Sequence, residues 1–337
     1  MKPGVPRRTA GEHPVPLPDD FMQRLRAWQE SRVMLTALEL DLFTAVDGGA
    51  SAADVAQALR TDRRGTEALL HALAALGLLV KREERFHNAP LAARHLCAES
   101  PHDWRAALMH TAALWHRWSS LTECVRTGQP APRIGRDSAD TETFIAAMHY
   151  NASSRAAQLV AALELAGERR LLDLGGGSGA YSIAFVRAVP GLTAEILDLP
   201  DVVPLAERYV AEAGVADRVR VRAGDLGADE FGAGYDLVLL SAICHMNGPA
   251  ANADLIRRAA RALDKGGRLV VHDFILEPDR TAPAAGALFA LNMLVNTRAG
   301  GNYTEAEYSG WMREAGLGDL RHVRLPGPTG LVMGRRP

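Results

Sequence analysis

From about residue 170 onward the chain alternates short apolar runs with amphipathic segments, and no other feature narrows its fold as much. RLLDL ends in a glycine cluster and leads into AYSIAFVRAV, and AEILDL leads into VVPLAERYVAEAG. VRVRAGDL and YDLVLLSAI follow, then ANADLIRRAARAL and RLVVHDFIL. The apolar runs have the length of buried strands, and the segments between them have the length of crossover helices. Strands joined by helices make a parallel, doubly wound sheet with helices on both faces, and right-handed crossovers follow from strand twist. The expected class is α/β. Thr304-Glu-Ala-Glu307 reads as a capping box opening one more helix, and LRHVRLP with TGLVMGR suits a terminal hairpin.

The first half has a different grammar. Residues 21–46 carry apolar side chains at three- and four-residue spacing, which predicts a helix or two. Ser51-Ala-Ala-Asp54 is a capping box before SAADVAQAL, and GTEALLHALAALG forms a second helix closed by Gly77. LLVKREERFHNAP then reads as two short extended runs around a charged turn, like the wing of a winged helix-turn-helix. Residues 101–127 and 140–165 are again helical, joined by a loop rich in Pro, Gly and Arg.

Composition excludes several partners. A formal charge of −2 over 337 residues favours neither nucleic acid nor an anionic membrane surface. The proline-bearing N-terminus has no apolar run of a signal peptide, and no later stretch is long enough to span a bilayer. The expectation is a cytoplasmic protein. Three scattered cysteines, Cys97, Cys124 and Cys244, offer neither a disulfide framework nor a CxxC zinc pair, so no metal is expected.

In an open α/β sheet the ligand lies beyond the carboxyl ends of the strands. The first such end is Asp173-Leu-Gly175-Gly176-Gly177-Ser-Gly179-Ala180. Glycines there let a ligand lie against the backbone, and the helix N-terminus behind them favours anionic groups. Gly175-x-Gly177-x-x-Ala180 fits a dinucleotide fingerprint, whereas Asp173-x-Gly175-x-Gly177-x-Gly179 fits the loop of S-adenosylmethionine methyltransferases. Asp198 ends the second strand, 21 residues after Gly177, where a carboxylate can accept both ribose hydroxyls of either cofactor. Gly224-Asp225-Leu226 ends the third strand, an acid and an apolar side chain suited to an adenine amine and ring face. A nicotinamide dinucleotide needs no acid at that third position. Asp173 can hold the methionine ammonium directly or through water.

The run LLDLGGGSGAYSIAFVRAVPGLTAEILDLPDVVPLA, together with the later GD, resembles the cofactor half of class I small-molecule O-methyltransferases. More narrowly it resembles the plant caffeate- and acetylserotonin-type and bacterial polyketide enzymes. The resemblance implies a Rossmann-like sheet, S-adenosyl-L-methionine as cofactor, and an N-terminal winged-helix domain that joins two subunits. The expected division is a tail over 1–20, a dimerisation domain over 21–97, a helical linker and substrate-pocket segment over 98–169, and a catalytic domain over 170–337. Leu199 of the DLP motif and Ser241 join Asp173, Gly175, Gly177, Asp198, Asp225 and Leu226 as expected cofactor residues.

The fourth strand runs out through Ser241-Ala-Ile-Cys-His245. A histidine at that exit can act as a general base, since its pKa lies near working pH. The resemblance gives His245 this role, and gives Asp273, after the fifth strand, the role of orienting it. Met246-Asn247 replaces the family's Asp-Trp after the histidine, and Gly300-Gly301-Asn302-Tyr303-Thr304 lacks the family's second supporting acid. Trp115 and Trp118, Met148, Asn292 and Met293 match positions that line the acceptor pocket, and Asn292, polar in an apolar helix, calls for a partner. The reading is O-methylation of a small, phenolic acceptor by a homodimer. Same-fold alternatives are C-methylation or a non-methylating reaction such as hydroxylation; a nicotinamide oxidoreductase and a winged-helix regulator are further ones. The Ala- and Leu-rich helix 65–77 lacks base-reading polar groups and suits burial better than a DNA groove.

Overall fold

The computed structural model describes residues 17–132 and 138–337. Most of the expected tail and part of the Pro/Gly/Arg loop lie outside the described residues. The chain divides after Arg105 into two units.

In the first unit, α1 (Asp19–Arg26), α2 (Trp28–Glu39) and α3 (Leu42–Val46) replace the one or two helices expected. α1 begins inside the stretch read as tail, because Pro18 precedes it and Asp19 and Asp20 place negative charge in its first turn. α4 (Ala52–Leu59) opens on the capping box, with Ser51 and Asp54 exchanging hydrogen bonds as the spacing predicts. α5 (Arg63–Ala75) follows, capped by Asp62. The antiparallel hairpin of β1 (Leu79–Arg82) and β2 (Arg85–Asn88) forms the wing, and α6 (Pro90–His95) comes after it. Leu70, Leu73, Phe43 and Phe86 are buried, whereas Phe21, Leu25 and Trp28 stay half or more exposed.

α7 (Arg105–Trp118) starts at the division, and the second unit continues with α8 (Leu121–Thr127), α9 (Ser138–Ser153) and α10 (Ala156–Leu163) before its sheet. The sheet alternation then runs β3 (Arg170–Leu174), α11 (Ala180–Ala188), β4 (Thr193–Asp198), α12 (Val203–Glu212) and β5 (Val219–Ala223). β6 (Tyr235–Ser241), α13 (Pro249–Ala262) and β7 (Leu263–Asp273) complete the parallel part. β7 ends at Asp273, short of the expected FIL, because the chain turns at Phe274. β8 (Ile275–Leu276) then pairs with β9 (Tyr303–Thr304), the two being separated by α14 (Ala284–Asn296). α15 (Glu305–Glu314) starts on the Thr304–Glu307 capping box, and β10 (Gly318–Arg324) with β11 (Gly330–Arg335) forms the terminal hairpin.

The strand order is β10-β11-β7-β6-β3-β4-β5, parallel from β7 to β5, with β11 running antiparallel on β7. Alternate residues explain both cores. Leu172 and Leu174 of β3 point into one layer with Val238, Leu240, Ile256 and Tyr308, while Leu171 points into the other with Leu239, Phe185 and Leu159. Connections leave β3 in one direction through β4 and β5, and resume in the other through β6 and β7. The switch point therefore lies between the ends of β3 and β6.

Candidate active site

At the end of β3 the chain must turn away at once, and Gly175 does so with φ +71°. A Cβ there would stand 2.3 Å from the Ile243 side chain and 3.3 Å from Leu226. The Gly175 amide donates to Leu197 O at 2.7 Å. Asp198, at the end of β4, holds the loop from outside: one carboxylate oxygen accepts from the Gly177 amide at 2.7 Å, the other from the Leu199 amide at 2.8 Å. Burial pushes the Asp198 pKa up, and those two amides oppose it.

Asp173 is buried under the loop. Its Oδ2 accepts from the Ser182 hydroxyl at 2.7 Å, and its Oδ1 has no hydrogen-bond partner among the described residues. An orphaned buried acceptor beside a glycine cradle fits a donor on a bound group such as an ammonium. Burial, with Asp198 nearby, pushes the Asp173 pKa up to about 7 against the Ser182 hydrogen bond. Asp225 is exposed; its carboxylate accepts from the Gly227 amide at 2.7 Å, and its own amide donates to Asp229 at 2.7 Å. Leu226 is partly buried, and Leu199 stands exposed at the rim.

Beyond β6 the chain folds back on itself. Ala242 adopts a left-handed φ of +57°, costly for a residue with a Cβ, and its amide donates to His272 O at 2.9 Å. That reversal carries His245, in a short 3₁₀ turn at Cys244–Met246, over the end of β7. There Asp273 accepts the His245 amide at 3.1 Å and His245 Nδ1–H at 2.7 Å, and also the Phe274 amide at 2.8 Å. With Nδ1 donating to a carboxylate, Nε2 is the basic ring nitrogen.

From the other side Gly300 and Gly301 press against the same turn. A Cβ on Gly300 would lie 2.4 Å from His245 O, and the Gly301 amide donates to that oxygen at 2.9 Å. No acid enters here: Asn302 donates to Gly286 O at 2.5 Å, and Tyr303 hydroxyl donates to Asn247 O.

Sequence reasoning missed the aromatic wall. Phe289 of α14 meets the His245 ring edge-on, centroids 4.8 Å apart at 86°, and Phe274 stacks on Phe289 at 4.0 Å. Asn292 and Met293 follow Phe289 by three and four residues, on the same helix face. Asn292 has the partner its surroundings require, since Trp118 Nε1–H donates to its Oδ1 at 2.9 Å. Met293 is buried and Trp115 half-buried. Half-buried Met148 is one turn from Ile145, whose side chain reaches within 3.7 Å of a Gly177 Cβ position. Also missed were His149, bonded to Ser178 at 2.8 Å, and Arg155, whose charge opposes the burial that pushes the Tyr181 pKa up and adds to the burial that pushes the His272 pKa down. An arginine in an arginine-rich sequence gives no signal until the fold places it.

Residues 124–318 match the O-methyltransferase domain, and residues 22–97 match the O-methyltransferase dimerisation domain. The chain belongs to the O-methyltransferase family. It is 36% identical over 317 residues to 3-hydroxy-5-methyl-1-naphthoate 3-O-methyltransferase of Streptomyces sahachiroi, covering 90% of this chain and 91% of that one. Identity to the tetracenomycin polyketide synthesis 8-O-methyl transferase TcmO of Streptomyces glaucescens is 32% over 330 residues, 95% and 97% of the two chains. The solved structure of PigF with SAH superposes with a TM-score of 0.87 at 27% identity, covering 95% of this chain and 100% of that one. This O-methyltransferase uses S-adenosylmethionine and acts on small molecules. Among the described residues no helix is long and apolar enough to cross a membrane.

The raised Asp173 pKa has a direction that stability can test. Folded Asp173 holds its proton to higher pH than the unfolded chain does, so its contribution is present below about pH 4 and is lost as pH rises through 7. Melting temperatures of the parent should therefore fall relative to Asp173→Asn between pH 5 and pH 8. A constant difference across that range would contradict the buried, raised carboxyl.

Proposed function

We propose that His245 is the general base of this O-methyltransferase, and that its acceptor is a phenolic hydroxyl on a small aromatic molecule. The observation that carries the reading is the buried His245–Asp273 pair, 2.7 Å apart, beside the stacked Phe274 and Phe289 rings. An aromatic acceptor can lie against that wall by offset or edge-on contact. Nε2 then takes the proton of the acceptor hydroxyl, and the freed oxygen is the nucleophile. Asp273 keeps the ring in one tautomer and stabilises the imidazolium that forms, while the Asp273 contacts to two backbone amides keep the carboxylate itself in place. A phenol suits this base, because it gives up its proton more readily than an aliphatic alcohol and Asn302-Tyr303 adds no second acid. The naphthoate relative is named for a hydroxyl on an aromatic ring, which agrees with this reading.

S-adenosylmethionine supplies an electrophilic sulfonium methyl when bound. Asp173, Gly175, Gly177, Ser241 and the first turn of α11 would hold its amino-acid end, Asp198 with Leu199 its ribose, and Asp225 with Leu226 its adenine. Arg155 offers a cation for the carboxylate. Holding both reactants on one rigid sheet end supplies much of the rate gain. Trp115, Trp118, Met148, Asn292 and Met293 shape the acceptor pocket. The active species is a homodimer, joined through residues 21–97, where exposed Phe21, Leu25 and Trp28 offer an apolar surface.

Two measurements test this. His245→Ala should lower turnover of methyl-labelled S-adenosylmethionine on a phenolic acceptor by about 10²–10⁴-fold while its calorimetric affinity for the cofactor is retained. Unchanged turnover would remove His245 from the chemistry. Sedimentation of the full chain should give the mass of two copies; a monomer at micromolar concentration would refute the dimer.

A further inference from the structure

The geometry points to His272 as a positioning residue that fixes the Ser241 hydroxyl against the amino-acid end of the cofactor, an inference that rests on the cofactor placement proposed above. His272 immediately precedes Asp273 on β7, so the two side chains leave the strand on opposite faces. Asp273 serves His245. His272 spans Ser241 Oγ, 2.9 Å from Nδ1, and Thr329 Oγ1, 2.9 Å from Nε2. Neither contact is used by the His245–Asp273 pair.

The ring is 4% exposed. Burial pushes its pKa down to about 4, with Asp273 acting in the opposite direction and Arg155 adding to the fall. A neutral imidazole has a single N–H, so it donates at one end and accepts at the other, and the hydroxyl at each end is held in one direction. Tyr181, in the first turn of α11, adds a second restraint. Its ring meets His272 edge-on, centroids 5.5 Å apart at 85°, and burial pushes its hydroxyl pKa up to about 12, with Arg155 and Ser241 acting in the opposite direction.

Ser241 follows Leu240, which pairs with Leu174 across the ladder. Its neighbour on β3 is therefore Gly175, where the glycine loop begins, next to the orphaned Asp173 Oδ1. A hydroxyl fixed at that point faces the methionyl ammonium or carboxylate, away from the ribose contacts of Asp198. An unrestrained serine would have to give up rotamer freedom on binding, a cost that the His272–Thr329 support removes in advance.

Calorimetry on the full-length protein separates this role from general structural support. The probes are S-adenosylmethionine and 5′-deoxy-5′-methylthioadenosine, which keeps the adenosine and the thioether but lacks the amino-acid group. His272→Leu should weaken S-adenosylmethionine about tenfold, the loss expected for one hydrogen bond to a charged group, and leave methylthioadenosine unchanged. Ser241→Ala should weaken it similarly, and the double variant no further than either single one. His272→Asn, whose amide stands where Nδ1 does, should recover most of the affinity. No loss in Ser241→Ala overturns the Ser241 contact and the inference with it. Loss in Ser241→Ala with none in His272→Leu, fully additive losses, or equal weakening of methylthioadenosine overturns the inference alone. Should His272→Leu fail to fold, Thr329→Val replaces it, with a selective loss of about threefold expected and no loss overturning the inference.

Discussion

The Asp273 carboxylate, buried at the end of β7, receives three N–H groups: the His245 amide, the His245 ring and the Phe274 amide. Hydrogen bonds to a charged acceptor are each worth about 1.5–3 kcal/mol, and here they add to the β6–β7 ladder and the Ala242 bond to His272 O in tying the turn after β6 to the end of β7. The strand end, the reversal after β6 and the orientation of the imidazole all depend on that one side chain. The left-handed Ala242 is the local cost of bringing His245 back over β7, and Gly300 closes on the same turn because no side chain fits there against His245 O. Removing the carboxylate would loosen the turn and the ring at once.

From that anchor the site divides along the sheet. β3 and β4 end in the glycine loop and Asp198, which are tied to each other by the Gly177 amide. β6 and β7 end in Ser241, His245, His272 and Asp273. The switch point between β3 and β6 sets the glycine loop beside the His245–Asp273 pair, so the arrangement follows from strand order before any side chain is considered. α14 then adds Phe289, Asn292 and Met293 from one face, and α7 fixes Asn292 through Trp118.

Much of this was legible in the sequence. Alternating apolar runs gave the parallel sheet, both capping boxes form at Ser51 and Thr304, and the glycine loop and the acids of β3 and β4 fall at strand ends as their spacing implied. Each of these is a local property, set by period, cap or turn chemistry. The features that escaped are products of tertiary approach. Phe274 and Phe289 are fifteen residues apart and read as ordinary core; His272 reads as one more residue of an apolar strand; His149 reaches Ser178 of the glycine loop, and Arg155 acts on Tyr181 and His272, only through the approach of α9 and α10. The three helices in place of one or two at the start reflect breaks at Ala27 and Leu40-Asp41 that hydrophobic spacing does not register. β7 stops early because Asp273 draws the Phe274 amide onto itself.

A structure of the protein with S-adenosylhomocysteine and a phenolic acceptor tests the central claim, that the ends of β6 and β7 together present the base and its orienting acid to the acceptor. The expected result is an acceptor oxygen within roughly 2.6–3.2 Å of His245 Nε2, with Nδ1 still held by Asp273 and the acceptor ring against Phe274 and Phe289. An acceptor hydroxyl out of reach of His245, directly or through one water, would contradict it.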